Sequence, residues 1–396
     1  MLDLGCHESI LDPAGYFARA REAGGDLQWS DLHRGWVILD HAGVEAAFRD
    51  SDTLSSERRE TWERAARQDA ALGPAVDLLS GWMNFRDPPV HSHLREPVRT
   101  AFTPRAISRL EAAVRQVVDE TVAGLADGIV DLEHDFARPI PALVIAHVLG
   151  IDPADRHRLS AWSDGLSKLV FAMNPGAVPG ATVVPAMEEF TGYFSRLIEQ
   201  ERAAPSGTIL SAVVHSETDR LTPLELVGAC TLLLFGGHET TTTLLGNALA
   251  ILLQRPEQRE WLRSHPEAYP TAVEEFMRVG GPARSMVRKV KADHERGGQL
   301  LKARQTVYLG IAAANHDPAV FTDPGELDLT RDPNPHFGFA WGLHYCLGAN
   351  LARLEAQVAL QALIERFPRM ASVGEVAPAR ASALGFGRRP LPVKLG

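Results

Sequence analysis

The sequence predicts a mainly α-helical protein with a small β-rich subdomain, organised as one large domain around a long central helix. Three observations carry this reading. The segment from Thr222 to Arg255 opens on a helix-start signature and stays apolar until Pro256. Short β-type runs occur at Leu27 to Trp29, Trp36 to Leu39, Met286 to Val290 and Val307 to Ile311, against a background that otherwise reads as helix. No repeat, low-complexity segment or linker-like stretch divides the 396 residues, so 1–396 is read as a single domain.

Composition narrows the function. At 45% hydrophobic and 23% charged, the chain can bury a large core. A formal net charge of −10, with no basic run interleaved with aromatics, argues against a nucleic-acid binder. The longest apolar runs fall short of the ~20 residues that a membrane span requires. The N-terminal Met1 to Glu8 has neither a basic nor an apolar targeting region, so a soluble, cytoplasmic protein is expected. Three cysteines, Cys6, Cys230 and Cys346, are too few and too scattered for a disulfide framework, a zinc site or an iron–sulfur site, which implies a reducing compartment. Cys230 lies in the apolar run Leu226 to Phe235 and reads as core, and Cys6 lies near a terminus expected to fray.

The first two β-type runs are close in sequence and predict a hairpin. In the central helix Thr222 can cap, Pro223 suits the first helical position and Glu225 completes a capping box. A helix from there to Arg255 would be about 50 Å long. Its middle, Gly236-Gly237-His238-Glu239-Thr240-Thr241-Thr242-Thr243, conflicts with helix propensity. Each glycine costs roughly 1 kcal/mol relative to alanine. A packing kink with threonines bonded to the preceding turn would explain it, and so would a functional site, where such conflicts concentrate. Downstream, Glu275 and Arg278 are three apart, which places them on one helix face. Asn315 to Pro324 is a loop with Asx-Pro turns.

Near the C-terminus, Cys346 sits in a glycine-flanked loop, Phe339 to Gly348, that runs into a helix marked by Leu347, Leu351, Leu354 and Val358. The helix is expected to start at or just after Cys346. A helix N-terminus offers a thiolate positive potential and N–H donors. Gly342 and Gly348 remove side chains on either side of the sulfur, so a flat macrocycle could approach the backbone. Cys346 is therefore a candidate iron ligand, against the ordinary fate of a lone cysteine as a small buried hydrophobe.

With these segments in this order, the chain resembles the cytochrome P-450 family of haem-thiolate monooxygenases over nearly its whole length. The resemblance rests on Phe339-x-x-Gly342-x-His344-x-Cys346-x-Gly348, on Gly237-x-Glu239-Thr240, on Glu275-x-x-Arg278 and on the Asn315 loop. It implies a single triangular domain whose central helix passes over haem b (iron protoporphyrin IX). Cys346 would be the axial ligand, its thiolate favouring O–O cleavage. Glu239 and Thr240 would relay protons to bound O₂ as general acids. Glu275 and Arg278 would form a buried brace for the loop before the cysteine, completed by His336, ten residues ahead of the ligand. His91, Arg95, Arg288 and His344 would meet the haem propionates, with Phe339, Gly342, Gly348 and Gly237 beside the cofactor. The chain departs from its relatives at Val90 and His93, in place of an acid and an arginine, and at Ala340, in place of a frequent glycine. Pro324-Gly325-Glu326-Leu327 stands where many relatives have Pro-x-Arg-Phe.

The resemblance further assigns substrate contacts to stretches holding Trp62, Trp82, Met83, Phe171, Met173, Gly236, Ala283 and Phe386, so an apolar, aromatic pocket is expected. Arg284 is the unusual candidate, a cation placed to anchor a substrate carboxylate or carbonyl. The implied reaction inserts one oxygen atom from O₂ into a small, largely apolar molecule such as a natural product. Electrons come from NAD(P)H through a reductase and a ferredoxin or flavodoxin docking on a basic face. Aryl coupling, desaturation or nitration on the same fold is one alternative, and a non-catalytic haem gas sensor is another. A monomer is expected.

Overall fold

The computed structural model describes residues 2–173, 179–216 and 221–396. It is mainly helical with small β-sheets, as the sequence predicts. The chain divides into two compact units: Met1–Ser55, Val118–Ile140 and Thr240–Gly396 in the first, Ser56–Val117 and Pro141–Glu239 in the second. The central helix, Pro223–Gln254, belongs to both, because the division falls between Glu239 and Thr240. Its start is the expected capping box: Glu225 N–H donates to Thr222 Oγ1 at 3.3 Å, and Thr222 N–H donates to Glu225 Oε2 at 2.8 Å. Its end falls one residue short of Arg255, and Pro256 opens the next helix, Pro256–Ser264.

In the first unit the strands are β1 (Leu27–Ser30), β2 (Gly35–Ile38), β3 (Leu54–Ser55), β4 (Ile129–Asp131), β5 (Met286–Val290), β6 (His294–Arg296), β7 (Gln299–Leu301), β8 (Thr306–Leu309), β9 (Ala371–Ser372) and β10 (Pro392–Lys394). The main sheet has the order β1-β2-β8-β5-β3, with β2 and β8 parallel and its other pairs antiparallel. The hairpin β1–β2 is the one expected. Side chains alternate across the sheet: Ile38, Val307 and Leu309 join one buried cluster with Val44, Phe48 and Phe337, whereas Val37 joins another with Leu4, Phe17 and Leu39. The hairpin β6–β7 turns on Gly297 and Gly298, both at positive φ (54° and 72°), which suits a two-residue turn.

The second unit is helical. Trp162 packs against Tyr193 and Phe194, with ring centroids 4.7 and 5.9 Å apart. The first turns of the central helix lie backbone to backbone against Gly81, since a Cβ on Gly228 would meet Gly81 Cα at 2.9 Å.

Candidate active site

The cysteine loop is a tight backbone structure in the first unit. Ala340 (φ +58°) and Gly342 (φ +67°) both lie in the left-handed region, and the short turn Gly342–His344 leads to Cys346, whose N–H donates to Phe339 O at 2.9 Å. The following helix, Ala349–Arg366, begins three residues beyond the cysteine, with Gly348 at its N-cap, later than expected. Gly342 has a local reason to be glycine beyond its φ: a Cβ there would meet Phe48 O at 3.2 Å. At Gly348 a Cβ would meet nothing within 4 Å. Cys346 is exposed, as are Trp341 (40%), Leu343 (43%) and Tyr345 (36%) around it. A thiol framed by exposed apolar side chains and open space beside a glycine fits a flat, apolar, iron-bearing group.

Behind the loop stand two charge clusters. Arg278 is bidentate to Glu275 at 2.8 and 2.7 Å, with both side chains fully buried. Arg278 also donates to the carbonyls of Asn315, Pro324 and Glu326, while Glu275 accepts from Asp328 N–H, Arg331 and Asn334. The pair thus ties down the chain from 315 to 334, as expected of the brace. His336, however, is not its third member. His336 Nδ1 accepts from Gly338 N–H, which leaves Nε2–H to donate to Glu274 at 3.1 Å. Glu274 also takes two bonds from Arg353, at 2.6 and 2.8 Å. Burial pushes the Glu274 carboxyl up, but Arg353 and His336 outweigh it and hold it at about 2. Arg353 lies 4.4 Å from the Phe339 ring centroid and donates to Tyr345 Oη at 3.2 Å, so this second cluster grips the cysteine loop itself. Sequence reasoning missed Glu274 and Arg353. The one available signal was the second acid beside Glu275.

Of the expected propionate partners, Arg288 is buried on β5, its guanidinium 5.8 Å from the Phe48 ring centroid, and His344 is half-buried in the turn before the cysteine. In the second unit His91 and Arg95 lie four apart on the helix Val90–Ala101. Burial, aided by Arg95, pushes the His91 imidazole down to about 4, so at neutral pH it offers an N–H donor and no charge.

In the central helix the two glycines differ. A Cβ on Gly237 would meet Ile145 Cδ1 at 3.0 Å, so a side chain there would press on Ile145. A Cβ on Gly236 would meet nothing within 4 Å, which leaves room beside the helix. Glu239 is half-buried and accepts from Ser163 Oγ at 3.0 Å, a partner on another helix that the sequence did not reveal. Thr240 is exposed, whereas Thr241 and Thr242 are buried.

The pocket candidates separate. Trp82 is fully buried, its indole N–H donating to Thr231 Oγ1 at 3.0 Å and its rings against Phe85 and Phe235, so it is core rather than lining. Met83 is 5% exposed, and Trp62 packs edge-on against Phe85. The Phe171 side chain lies outside the described residues. Arg284 does not anchor a substrate: it is 3% exposed, and its donors go to Leu4 O, Ser9 O and Ser9 Oγ, each at 2.9 Å. Ala283 and Phe386 lie beside it, both half-buried, with Ala283 bridged to Gly385. Among the described residues no helix is long and apolar enough to cross a membrane.

Known proteins are similar to this chain in sequence and in fold. A family model described as Cytochrome P450 matches residues 269–396, which hold both charge clusters and Cys346. The vitamin D(3) 25-hydroxylase of Pseudonocardia autotrophica is 38% identical over 368 residues, covering 91% of this chain and 88% of that protein. The cytochrome P450 monooxygenase PikC of Streptomyces venezuelae is 34% identical over 382 residues, covering 94% and 88%. The solved structure of PksS, the cytochrome P450 of the Bacillus subtilis 168 bacillaene polyketide synthase, superposes with a TM-score of 0.86 at 29% identity and covers 100% of both chains. With the thiol loop and its buried brace in place, the chain belongs to the cytochrome P450 family and is a cytochrome P450 monooxygenase.

Proposed function

We propose that the chain works as a single catalytic domain that holds haem b through Cys346 and inserts one oxygen atom from O₂ into a small, largely apolar natural product. The observation that carries this reading is the exposed Cys346, set among apolar side chains on a loop gripped by Arg353 and backed by a buried brace. The haem supplies oxygen activation, with the thiolate as the electron-donating ligand. The chain's residues do the rest. His91, Arg95, Arg288 and His344 would hold the propionates, His91 as a neutral donor. Ser163 orients the Glu239 carboxylate from Oγ, and Glu239 with Thr240 would hand protons to the distal side. The names of relatives, a vitamin D(3) hydroxylase and an enzyme of a polyketide synthase system, support an apolar natural product as substrate. Electrons would arrive from NAD(P)H through a reductase and a ferredoxin or flavodoxin, with the enzyme a cytoplasmic monomer.

The test is spectroscopic and then kinetic. The reduced carbon monoxide complex should absorb at about 450 nm, and a band at about 420 nm in folded protein would rule out thiolate ligation. With a surrogate redox chain, Thr240→Ala should lower product formed per NAD(P)H consumed about 10²-fold, the scale of a lost general acid.

A further inference from the structure

The buried cation at Arg284 is unexplained by substrate binding, and its surroundings give it another task. Three pieces of chain meet there, all within the first unit. The N-terminal segment Leu4–Ser9 supplies the acceptors for the guanidinium. The segment 282–286 carries Arg284 into β5. The turn 381–387 carries Phe386, whose ring centroid lies 5.0 Å from the guanidinium carbon.

The backbone contacts between these pieces are close. A Cβ on Gly5 would meet Ser382 C at 2.9 Å and Ala383 N at 3.2 Å, so the N-terminal segment lies directly on the turn. A Cβ on Gly385 would meet Pro282 O at 2.7 Å. Arg284 N–H donates to Leu384 O at 2.9 Å, Ser285 Oγ donates to Ala383 O at 2.6 Å, and Phe386 N–H donates to Pro282 O at 3.1 Å. The N-terminal segment is itself anchored: Leu4 N–H donates to His33 Nε2, Asp3 N–H to Tyr16 Oη, and Ser30 Oγ to Leu2 O.

Among the described residues Arg284 has no carboxylate in hydrogen-bond contact, and burial pushes its guanidinium down to about 10. A cation held mainly by carbonyls is costly to bury and does little for stability compared with an apolar residue of similar size. It does fix the two peptide groups it holds.

We propose that Leu4–Ser9 and Arg284 form a clasp that positions the turn bearing Phe386, together with Ala283, and so sets which substrates the enzyme accepts. Arg284 is then a positioning residue for specificity, acting through the turn. This rests on the reading that Ala283 and the turn near Phe386 line the substrate pocket, the Phe386 ring itself packing on the Arg284 guanidinium.

The experiment uses holoenzyme of the wild type, Arg284→Ala, Arg284→Lys and Gly5→Ala, each admitted on a reduced carbon monoxide band at about 450 nm. Gly5→Ala disturbs the same clasp without exposing a buried cation's partners, so it decides the matter if Arg284→Ala does not fold. Imidazole and 4-phenylimidazole are titrated by the shift of the haem absorption band. Imidazole should bind all variants equally. The phenyl derivative, which must fill the pocket, should bind Arg284→Ala about tenfold more weakly, the scale of one lost charge-assisted hydrogen bond. A loosened turn must be ordered by the ligand. Gly5→Ala should shift the same way, and Arg284→Lys should recover part of the loss. Amide exchange at 381–387 should rise in Arg284→Ala and Gly5→Ala. An unchanged ratio of the two affinities in both variants would overturn the clasp. A wild type without the 450 nm band would instead overturn the reading of the site, and the exchange arm would still report on the clasp.

Discussion

The cysteine loop and the middle of the central helix both carry candidate functional side chains, and the protein holds them in opposite ways. Behind the loop, two adjacent carboxylates each gather several donors: Glu275 from Arg278, Asp328, Arg331 and Asn334, and Glu274 from Arg353 and His336. In the helix, Gly236 faces open space, Glu239 is half-buried and Thr240 is exposed. The end that would hold a ligand atom under the proposed function is the one backed by buried charge. The end that small molecules and protons would reach under the proposed function is the one that keeps open space, at Gly236. Rigidity and access are thus separated along the chain.

The largest effect should come from breaking the rigid end. Arg278→Ala would leave Glu275 buried without its bidentate partner, at a cost of about 3–5 kcal/mol. That is a large part of the ~5–15 kcal/mol that stabilises a typical protein. Denaturant titration should show the midpoint falling sharply, with haem content falling alongside it. Thr240→Ala, at an exposed helical position, should stay within about 0.5 kcal/mol of wild type in the same titration. If the two variants were equally stable, buried charge would not be what distinguishes the two regions.

A finer contrast lies within the helix. Gly237→Ala drives a methyl toward Ile145 Cδ1, 3.0 Å from where its Cβ would sit, and overpacking of this kind costs about 1–3 kcal/mol. Gly236→Ala meets nothing within 4 Å and should gain up to about 1 kcal/mol of helix propensity. Thermal unfolding of the haem-free variants should therefore move in opposite directions. Equal shifts would mean that both glycines serve the same end.

What was legible in the sequence was what local chemistry writes into it. The capping box at Thr222 and Glu225, the proline stop at 256, the β-type runs and the cysteine loop each depend on residues a few positions apart, and each is present. Gly297-Gly298 is legible in the same way, as a hairpin turn. The partners of charged groups were not. That His336 pairs with Glu274 and not with Glu275, that Ser163 holds Glu239, and that Arg284 is spent on Leu4 and Ser9 are matters of packing across 62, 76 and about 280 residues of chain. Trp82 misled for a related reason: an aromatic side chain looks the same in a core as in a pocket until its N–H partner, Thr231, is known.

The smallest effect tests how the loop keeps its shape at Ala340. Ala340 sits at φ +58°, a conformation that costs an L-residue roughly 1–2 kcal/mol. Ala340→Gly would relieve that strain. It would also remove a methyl buried with Phe337 and Phe48, worth about 0.8 kcal/mol. In addition, it would give the unfolded chain more freedom, worth about 0.4–1 kcal/mol. These nearly cancel, so the variant should lie within about 0.5 kcal/mol of wild type in the denaturant titration. Ala340→Val adds a β-branch to the same left-handed position and should be clearly destabilising. A gain well beyond 1 kcal/mol for the glycine variant would mean that the strain outweighs the packing. Neutrality for the glycine variant together with a clear loss for Ala340→Val would mean that the strain at φ +58° is offset by the buried methyl and the stiffer unfolded chain.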